Sequence, residues 1–351
     1  MAKFISLFAG VGGFDLGMEQ AGHECVAQVE WDKNAAGVLK HRWPNVPLFC
    51  DVSKVSADDL PDADFITYGF PCQDLSVAGK REGLDGKRSG LFYEATRLIR
   101  ELRSRGCGLR FAVAENVGGL LSADDGVALA RCIRELLDSG ACETGWRVVD
   151  SQYFGVAQRR KRVFIVSDFG GESCDQILAI TESLPGHPAP SREARKGTAG
   201  DATESVGDSV VSWNGDTTPK ASEDVSVTLR SQQGGEGVGV AHGCDLYNCD
   251  ITGDKSMTLK AAVGNPSVNL PTVLKENLTV RRLTPIECER LQGFPDNWTS
   301  EKMELTLEGN EWKATGKVVK QADGPRYKAM GNAVTVNVAE WIGKQIGKVL
   351  S

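Results

Sequence analysis

The chain has 351 residues, of which 41% are hydrophobic and 25% charged, and its formal net charge at pH 7 is −7. This composition is typical of a folded globular protein and excludes collagen-like and low-complexity chains. No apolar run approaches the roughly 20 residues of a membrane span, and the first residues lack the layout of a signal peptide. We therefore expect a cytoplasmic protein with reduced cysteines and no membrane partner.

Short apolar segments alternate with helical periods from residue 1 to about residue 170. Apolar residues spaced three and four apart predict helices around 91–102 and 129–137. The alternation predicts a doubly wound, mostly parallel α/β sheet that binds ligands at the carboxyl ends of its strands. The candidate strands cover residues 4–8, 25–30, 65–68, 111–114, 147–150 and 163–166.

The first strand runs directly into a glycine-rich loop, AGVGG, at residues 9–13. Glycines at this point let the backbone turn sharply and approach a ligand without an intervening side chain. The dinucleotide-binding fingerprint needs a small residue where this chain has Asp15. The mismatch argues against a nicotinamide or flavin cofactor, so the loop predicts a site for a different ligand.

Two further strand ends carry residues suited to chemistry. In TYGFPC, Cys72 follows the third candidate strand, where its thiolate could act as a nucleophile or its thiol could be a buried apolar group. In AVAENVGG, Glu115 and Asn116 end the fourth, and a carboxylate there could exchange a proton with a ring nitrogen. Taken singly, each of these signals is weak.

The chain changes character after Gly170. Residues 171–280 are rich in small and polar side chains with short alternating runs, which predicts irregular β structure. Residues 303–319 predict a hairpin that turns at 308–310, and residues 334–349 predict a C-terminal helix. Basic residues gather at 80–105 and 159–162, so even an acidic chain could present a basic cleft to phosphates.

Considered together and in this order, the motifs resemble those of the DNA (cytosine-5) methyltransferase family. The glycine loop, the Pro-Cys pair and ENV are followed by QRRKR at 158–162, RRLTPIECERLQGFPDNW at 281–298 and YKAMGNAVTVNVAEWI at 327–342. The resemblance implies a Rossmann-like S-adenosylmethionine-dependent methyltransferase fold with a smaller, irregular β-rich recognition domain. The catalytic domain would comprise residues 1–170 and 326–351. The recognition domain would comprise 171–325, with 281–298 at its junction and the 303–319 hairpin inside it.

The resemblance implies S-adenosylmethionine as the cofactor, with S-adenosylhomocysteine as the product. Its amino-acid portion would lie at the glycine loop, its ribose hydroxyls at an acidic residue ending the second strand, and its adenine beside a tryptophan. The residues implied for this pocket are Phe8, Gly10, Gly12, Gly13, Glu30, Trp31, Asp51, Val52, Leu91 and Asn332.

The resemblance also implies the chemistry. The thiolate of Cys72 would add to C6 of a cytosine flipped out of duplex DNA, which activates C5 for methylation. Glu115 would hydrogen-bond N3 and the exocyclic amine, while Arg160 and Arg162 would hold the base and nearby backbone. A solvated loop is an equally open interpretation for the suggested base readers Arg230 and Gln232. The DNA-binding residues implied are Pro71, Gln73, Ser76, Lys80, Arg81, Arg88, Asn116, Gln158, Arg230 and Gln232.

Two alternatives share part of this interpretation. A tRNA cytosine methyltransferase would use the same chemistry, but that type normally has a Pro-Pro-Cys block and a shorter recognition region. A non-catalytic DNA-binding module would lack the catalytic residues, which are all present here. We therefore predict a monomeric bacterial or phage enzyme that binds double-stranded DNA, with no metal and no membrane partner. Its target sequence and any partner endonuclease stay open.

Overall fold

The computed structural model describes residues 1–70, 90–180 and 283–351, together with the backbone of short strands between residues 210 and 281. Nine of the predicted site residues lie outside these described residues. They are Pro71, Cys72, Gln73, Ser76, Lys80, Arg81, Arg88, Arg230 and Gln232.

The described residues build a nine-stranded sheet in which β3, β2, β1, β4 and β5 lie side by side in parallel. The next strand, β8, runs antiparallel between β5 and β6. The strands between residues 1 and 170 are β1 Lys3–Leu7, β2 Glu24–Val29, β3 Leu48–Phe49, β4 Phe65–Gly69, β5 Phe111–Val117, β6 Glu143–Asp150, β7 Gln158–Arg159 and β8 Lys161–Asp168, of which β7 lies outside this sheet. The predicted doubly wound, mostly parallel sheet is confirmed. The reversal at β8 follows from its link to β6, which is shorter than the dozen or so residues of a parallel crossover.

Helices cover both faces of the sheet. On one face α3 and α4 bury apolar stripes that include Phe92, Leu98 and Leu136, and on the other α1 packs against the C-terminal helix α8. The approach of α1 to α8 depends on Gly17, since a Cβ there would lie 2.5 Å from the Cβ of Ala339. The helices predicted around 91–102, 129–137 and 334–349 are confirmed. The helices are α1 Gly13–Gln20, α2 Lys33–Arg42, α3 Gly90–Ser104, α4 Val127–Asp138, α5 Cys174–Leu178, α6 Pro285–Leu291, α7 Asp323–Asn332 and α8 Val336–Leu350.

Between residues 210 and 281 the structure describes eight short strands, in agreement with the β structure predicted from the alternating sequence. Five of them form a separate sheet in the order β10, β9, β12, β15, β16. The short β11 instead pairs in parallel with β7. These strands are β9 Val210–Asn214, β10 Thr217–Ala221, β11 Ser226–Val227, β12 Glu236–Val240, β13 Cys244–Asp245, β14 Asp250–Ile251, β15 Val273–Leu274 and β16 Val280–Arg281.

The predicted hairpin is present as β17 Glu301–Glu308 and β18 Glu311–Lys320. It extends the nine-stranded sheet, where β18 pairs antiparallel with β3. The pairing satisfies backbone groups along the outer edge of β3, which β2 leaves open.

Three properties of the described residues bear on the predicted partners. No helix among them has both the length and the apolar character needed to cross a bilayer. They contain no cluster of three or more His, Cys, Asp and Glu side chains arranged to hold a metal ion. The cysteines among them are free thiols, and Cys142 is exposed.

Candidate active site

The glycine loop leaves β1 and enters α1 through residues with positive φ. Gly10 has a φ of 59°, and a Cβ at this position would meet nothing within 4 Å. A Cβ at Gly12 would instead lie 2.5 Å from the ring of Trp43, and one at Gly13 would lie 2.5 Å from the carbonyl oxygen of Val334. Gly10 therefore leaves backbone open to a ligand, whereas Gly12 and Gly13 allow the loop to pack tightly against the protein.

Glu30 joins the ends of β1 and β2. Its carboxylate accepts hydrogen bonds from the backbone N–H of Gly10 at 2.8 Å and of Asp32 at 2.7 Å. Desolvation raises the pKa of Glu30 to about 7; the charge of Asp32 adds to this rise, and the two hydrogen bonds and Lys328 oppose it. The Lys328 ammonium itself lies 2.7 Å from the Asp32 carboxylate. A carboxyl group with a pKa of about 7 changes its charge near neutral pH. Hydroxyl groups that donate hydrogen bonds to Glu30 would favour its charged form.

The other predicted cofactor residues lie on several elements. Trp31 follows Glu30 and is 70% exposed, which leaves its ring free to contact a planar group. Asp51 caps a short 3-10 turn and accepts a hydrogen bond from the backbone N–H of Ser53 at 3.1 Å. The remaining positions are Phe8 in the glycine loop with a φ of 52°, the buried Val52, Leu91 at the start of α3, and the exposed Asn332 at the end of α7.

Glu115 lies at the neighbouring strand end. In the parallel pairing of β4 with β5, Gly69 is opposite Glu115, and the side-chain amide of Asn116 donates to the carbonyl of Phe70 at 3.4 Å. Cys72 follows Phe70 by two residues in the sequence. The pairing therefore fixes Glu115 beside the strand that leads into the Pro-Cys motif.

Glu115 is buried against positively charged neighbours. The guanidinium Nε of Arg162 lies 2.9 Å from its carboxylate Oε1, and both side chains are about nine-tenths buried. Burial raises the pKa of Glu115, while the charges of Arg162 and Arg160 oppose that rise. A carboxyl group with a raised pKa can donate a hydrogen bond to an unprotonated ring nitrogen when it is protonated, and its other oxygen can accept one from an amine.

The three residues of the QRRKR motif that were predicted to bind DNA or base differ in their surroundings. Arg160 is 1% exposed, and its guanidinium donates to the carbonyl oxygens of Ala333 at 2.7 Å and Gly331 at 3.4 Å. The amide of Gln158 is fully buried, with no hydrogen-bond partner within the described part of the chain. Arg160 thus binds the backbone on both sides of Asn332, and Arg162 lies beside the carboxylate of Glu115.

Sequence reasoning missed several side chains that connect these motifs. Gln292 accepts a hydrogen bond from the Thr335 hydroxyl at 2.9 Å, and that hydroxyl also lies 2.9 Å from the hydroxyl of Ser151. The indole N–H of Trp298 donates to the carbonyl of Val11 in the glycine loop at 2.8 Å. No local pattern could reveal these contacts, because each joins segments more than 40 residues apart.

Known proteins resemble the chain over nearly its whole length. The profile of the C-5 cytosine-specific DNA methylase family matches residues 2–348. The Type II methyltransferase M2.BsuMI of Bacillus subtilis is 30% identical over 346 residues, which cover 99% of this chain and 75% of that protein. The Type II methyltransferase M.HhaI of Haemophilus parahaemolyticus is 27% identical over 363 residues, which cover 99% and 95%.

Solved structures agree on the fold. A DNA modification methyltransferase encoded within an E. coli prophage superposes with a TM-score of 0.61 at 19% identity, covering 100% of this chain and 99% of that one. The S. pombe Dnmt2 methyltransferase gives a TM-score of 0.59 at 14% identity, with full coverage of both chains. The resemblance drawn from the sequence motifs is confirmed: the chain belongs to the C-5 cytosine-specific DNA methylase family and is a DNA cytosine-5 methyltransferase, with S-adenosylmethionine as its methyl donor.

Proposed function

We propose that this enzyme methylates C5 of a cytosine flipped out of a short duplex DNA site, through a covalent bond between Cys72 and C6. The observation that carries the proposal is the buried pair of Glu115 and Arg162 at the strand end beside the one leading into the Pro-Cys motif. C5 of a stacked base is inaccessible, so the cytosine must leave the helix before it can meet these groups.

The chemistry assigns separate tasks to the chain's residues. The thiolate of Cys72 forms a bond to C6, and the electron density displaced toward C5 makes that carbon nucleophilic. Glu115 donates a hydrogen bond to N3 and accepts one from the exocyclic amine, which stabilises the charge that develops on the ring. S-adenosylmethionine supplies an electrophilic methyl group when bound. Loss of the C5 proton to a base then allows the sulfur to leave C6 and restores the aromatic ring.

The residues around Glu30 fit this methyl donor. The backbone at Gly10 is open, and the Glu30 carboxylate can accept hydrogen bonds from ribose hydroxyls beyond the two it already accepts from backbone N–H groups. We assign the adenine to the exposed ring of Trp31 and the Asp51–Val52 turn. We propose that Arg160 positions the segment around Asn332 through the carbonyls of Gly331 and Ala333, and the role in holding the base that the resemblance implies is the alternative.

The affinity for S-adenosylmethionine is expected to fall about tenfold between pH 8 and pH 6. The pKa of Glu30 is raised to about 7, so roughly nine-tenths of its carboxylates are ionised at pH 8 and one-tenth at pH 6, and the ionised form is the better acceptor for ribose hydroxyls. Calorimetric titration at both values measures the change. Glu30→Gln should bind more weakly and show a smaller pH dependence, since titration of the ligand's own amino group is common to both proteins. An equal pH dependence in the two proteins would contradict the assignment.

The hairpin contacts and the buried 283–298 segment suggest a revised domain boundary. We propose that residues 1–170 and 283–351 form the catalytic domain and that residues between them recognise the target.

The Type II methyltransferases among the relatives favour a role in restriction–modification for this enzyme, which we propose acts as a monomer. The DNA contacts that the resemblance implies are part of this proposal, and they involve Pro71, Gln73, Ser76, Lys80, Arg81, Arg88, Arg230 and Gln232.

A covalent trap tests the mechanism. Duplex DNA of mixed sequence containing 5-fluorocytosine is incubated with the enzyme and S-adenosylmethionine, then separated by denaturing electrophoresis. Fluorine cannot leave C5 as a proton does, so we expect a protein–DNA adduct that Cys72→Ala abolishes. The matched control Cys142→Ala, which removes an exposed thiol, should retain the adduct. An adduct with substituted RNA alone would point to a tRNA substrate, and its absence from both would refute covalent catalysis.

A further inference from the structure

The turn of the β17–β18 hairpin is fastened to one of the predicted cofactor positions. The side-chain amide of Asn310 accepts a hydrogen bond from the backbone N–H of Asp51 at 2.8 Å and donates one to the carbonyl of Asp51 at 2.9 Å. The backbone N–H of Cys50 also donates to the carbonyl of Asn310 at 2.8 Å. A single side chain thus satisfies both backbone groups of Asp51.

A second hairpin residue reaches the other side of the same pocket. The indole N–H of Trp312 donates to the backbone carbonyl of Glu30 at 3.0 Å, and the Trp312 side chain is 6% exposed within the core that contains Leu48. Because Asn310 in the turn and Trp312 in β18 are only two residues apart, their contacts tie Asp51 and Glu30 to one short segment of the hairpin.

The body of the hairpin is itself held against α2, the helix that begins just after Trp31. A Cβ at Gly37 would lie 2.7 Å from the carbonyl oxygen of Met303, so helix and strand approach as closely as a glycine permits. The ammonium of Lys302 also donates to the side chain of Asn34 in the same helix. The hairpin is therefore packed against α2, and its turn can hold Asp51 and Glu30 in place.

We propose that Asn310 and Trp312 are positioning residues for S-adenosylmethionine. The inference rests on the cofactor pocket proposed above. The strand β3 has two residues and ends just before Asp51, so its own pairing gives this turn little support. The hairpin supplies that support, and a pocket ordered in advance loses less conformational entropy when the ligand binds.

The test measures S-adenosylmethionine binding to the full-length protein by calorimetry. Asn310→Ala is expected to weaken binding roughly fivefold, in line with the net contribution of a hydrogen bond. KM for S-adenosylmethionine should rise by a similar factor, while kcat at saturation and KM for DNA stay unchanged. Trp312→Phe, which keeps an aromatic ring but removes the N–H, should act in the same direction.

The matched control is Thr315→Ala on the same hairpin. It removes two hydrogen bonds within the hairpin, one that the hydroxyl donates to the carbonyl of Glu304 at 3.0 Å and one that it accepts from the backbone N–H of Lys317 at 3.4 Å, and should leave binding unchanged. Lower thermal stability of Asn310→Ala and Trp312→Phe with wild-type affinity would overturn the inference, as would a rise in KM for DNA alone. Glu30→Gln separates the two hypotheses: if it weakens binding while the hairpin variants do not, the pocket stands and the inference fails. If Glu30→Gln binds as the wild type does, both fail.

Discussion

Glu115→Gln is expected to lower kcat for methyl transfer about 10²–10³-fold while the affinity for S-adenosylmethionine stays within twofold of the wild type. Glutamine keeps the shape of the side chain, but its amide has no acidic O–H to share with N3, whereas burial raises the pKa of the Glu115 carboxyl and makes its protonated form easier to reach. The variant therefore stabilises the charge that develops on the cytosine ring less well than the wild type does, and this lowers kcat. Single-turnover transfer of a radiolabelled methyl group measures it.

The control for this variant must also remove a carboxylate paired with an arginine. Glu94 on α3 meets this requirement, since its carboxylate lies 2.8 Å from the guanidinium of Arg97. Glu94→Gln is expected to leave the single-turnover rate within twofold of the wild type. A Glu115→Gln enzyme that transfers methyl groups at the wild-type rate would remove Glu115 from the reaction.

The strands of the sheet could largely be predicted because they are short, apolar and rich in β-branched residues. The exception, β3, contains only Leu48 and Phe49, too few residues to show a period. Its place depends on β2 and on a hairpin some 260 residues away in the chain, as the separation of Asp51 and Asn310 shows. A pairing of this kind leaves no local pattern, so neither β3 nor the placement of the hairpin followed from the sequence.

The residues expected at the site were predicted from linear motifs. These motifs indicate which residues matter, but not the physical role that each residue has. Gly10, Gly12 and Gly13 all fit a ligand-binding loop, but in the structure they differ. There is free space beside Gly10, whereas a side chain at Gly12 or Gly13 would clash with neighbouring protein atoms. In the sequence, Asp15 is only a mismatch to the dinucleotide-binding fingerprint. In the structure it is a buried acceptor of hydrogen bonds from Ser6 at 2.9 Å and Gln28 at 2.7 Å, within the protein beneath the loop.

Arg160→Met is expected to lower the free energy of unfolding by about 3 kcal/mol. Methionine fills much of the same space but leaves the buried carbonyls of Gly331 and Ala333 without the charged donor that they have in the wild type. Denaturant titration at constant pH measures the change. Because these carbonyls flank Asn332, we expect KM for S-adenosylmethionine to rise more than KM for DNA.

The adjacent Arg159 offers the control, since it has the same side chain one position away in the same motif. It is 52% exposed, and its guanidinium lies 3.9 Å from Asp150, so Arg159→Met should change the free energy of unfolding by no more than about 0.5 kcal/mol. The comparison also decides between two roles for Arg160. A stable Arg160→Met enzyme with normal affinity for S-adenosylmethionine but weakened DNA binding would support the role in holding the target base that the sequence resemblance implies. A loss of stability together with a higher KM for S-adenosylmethionine would show that Arg160 positions the segment around Asn332 and thereby affects cofactor binding.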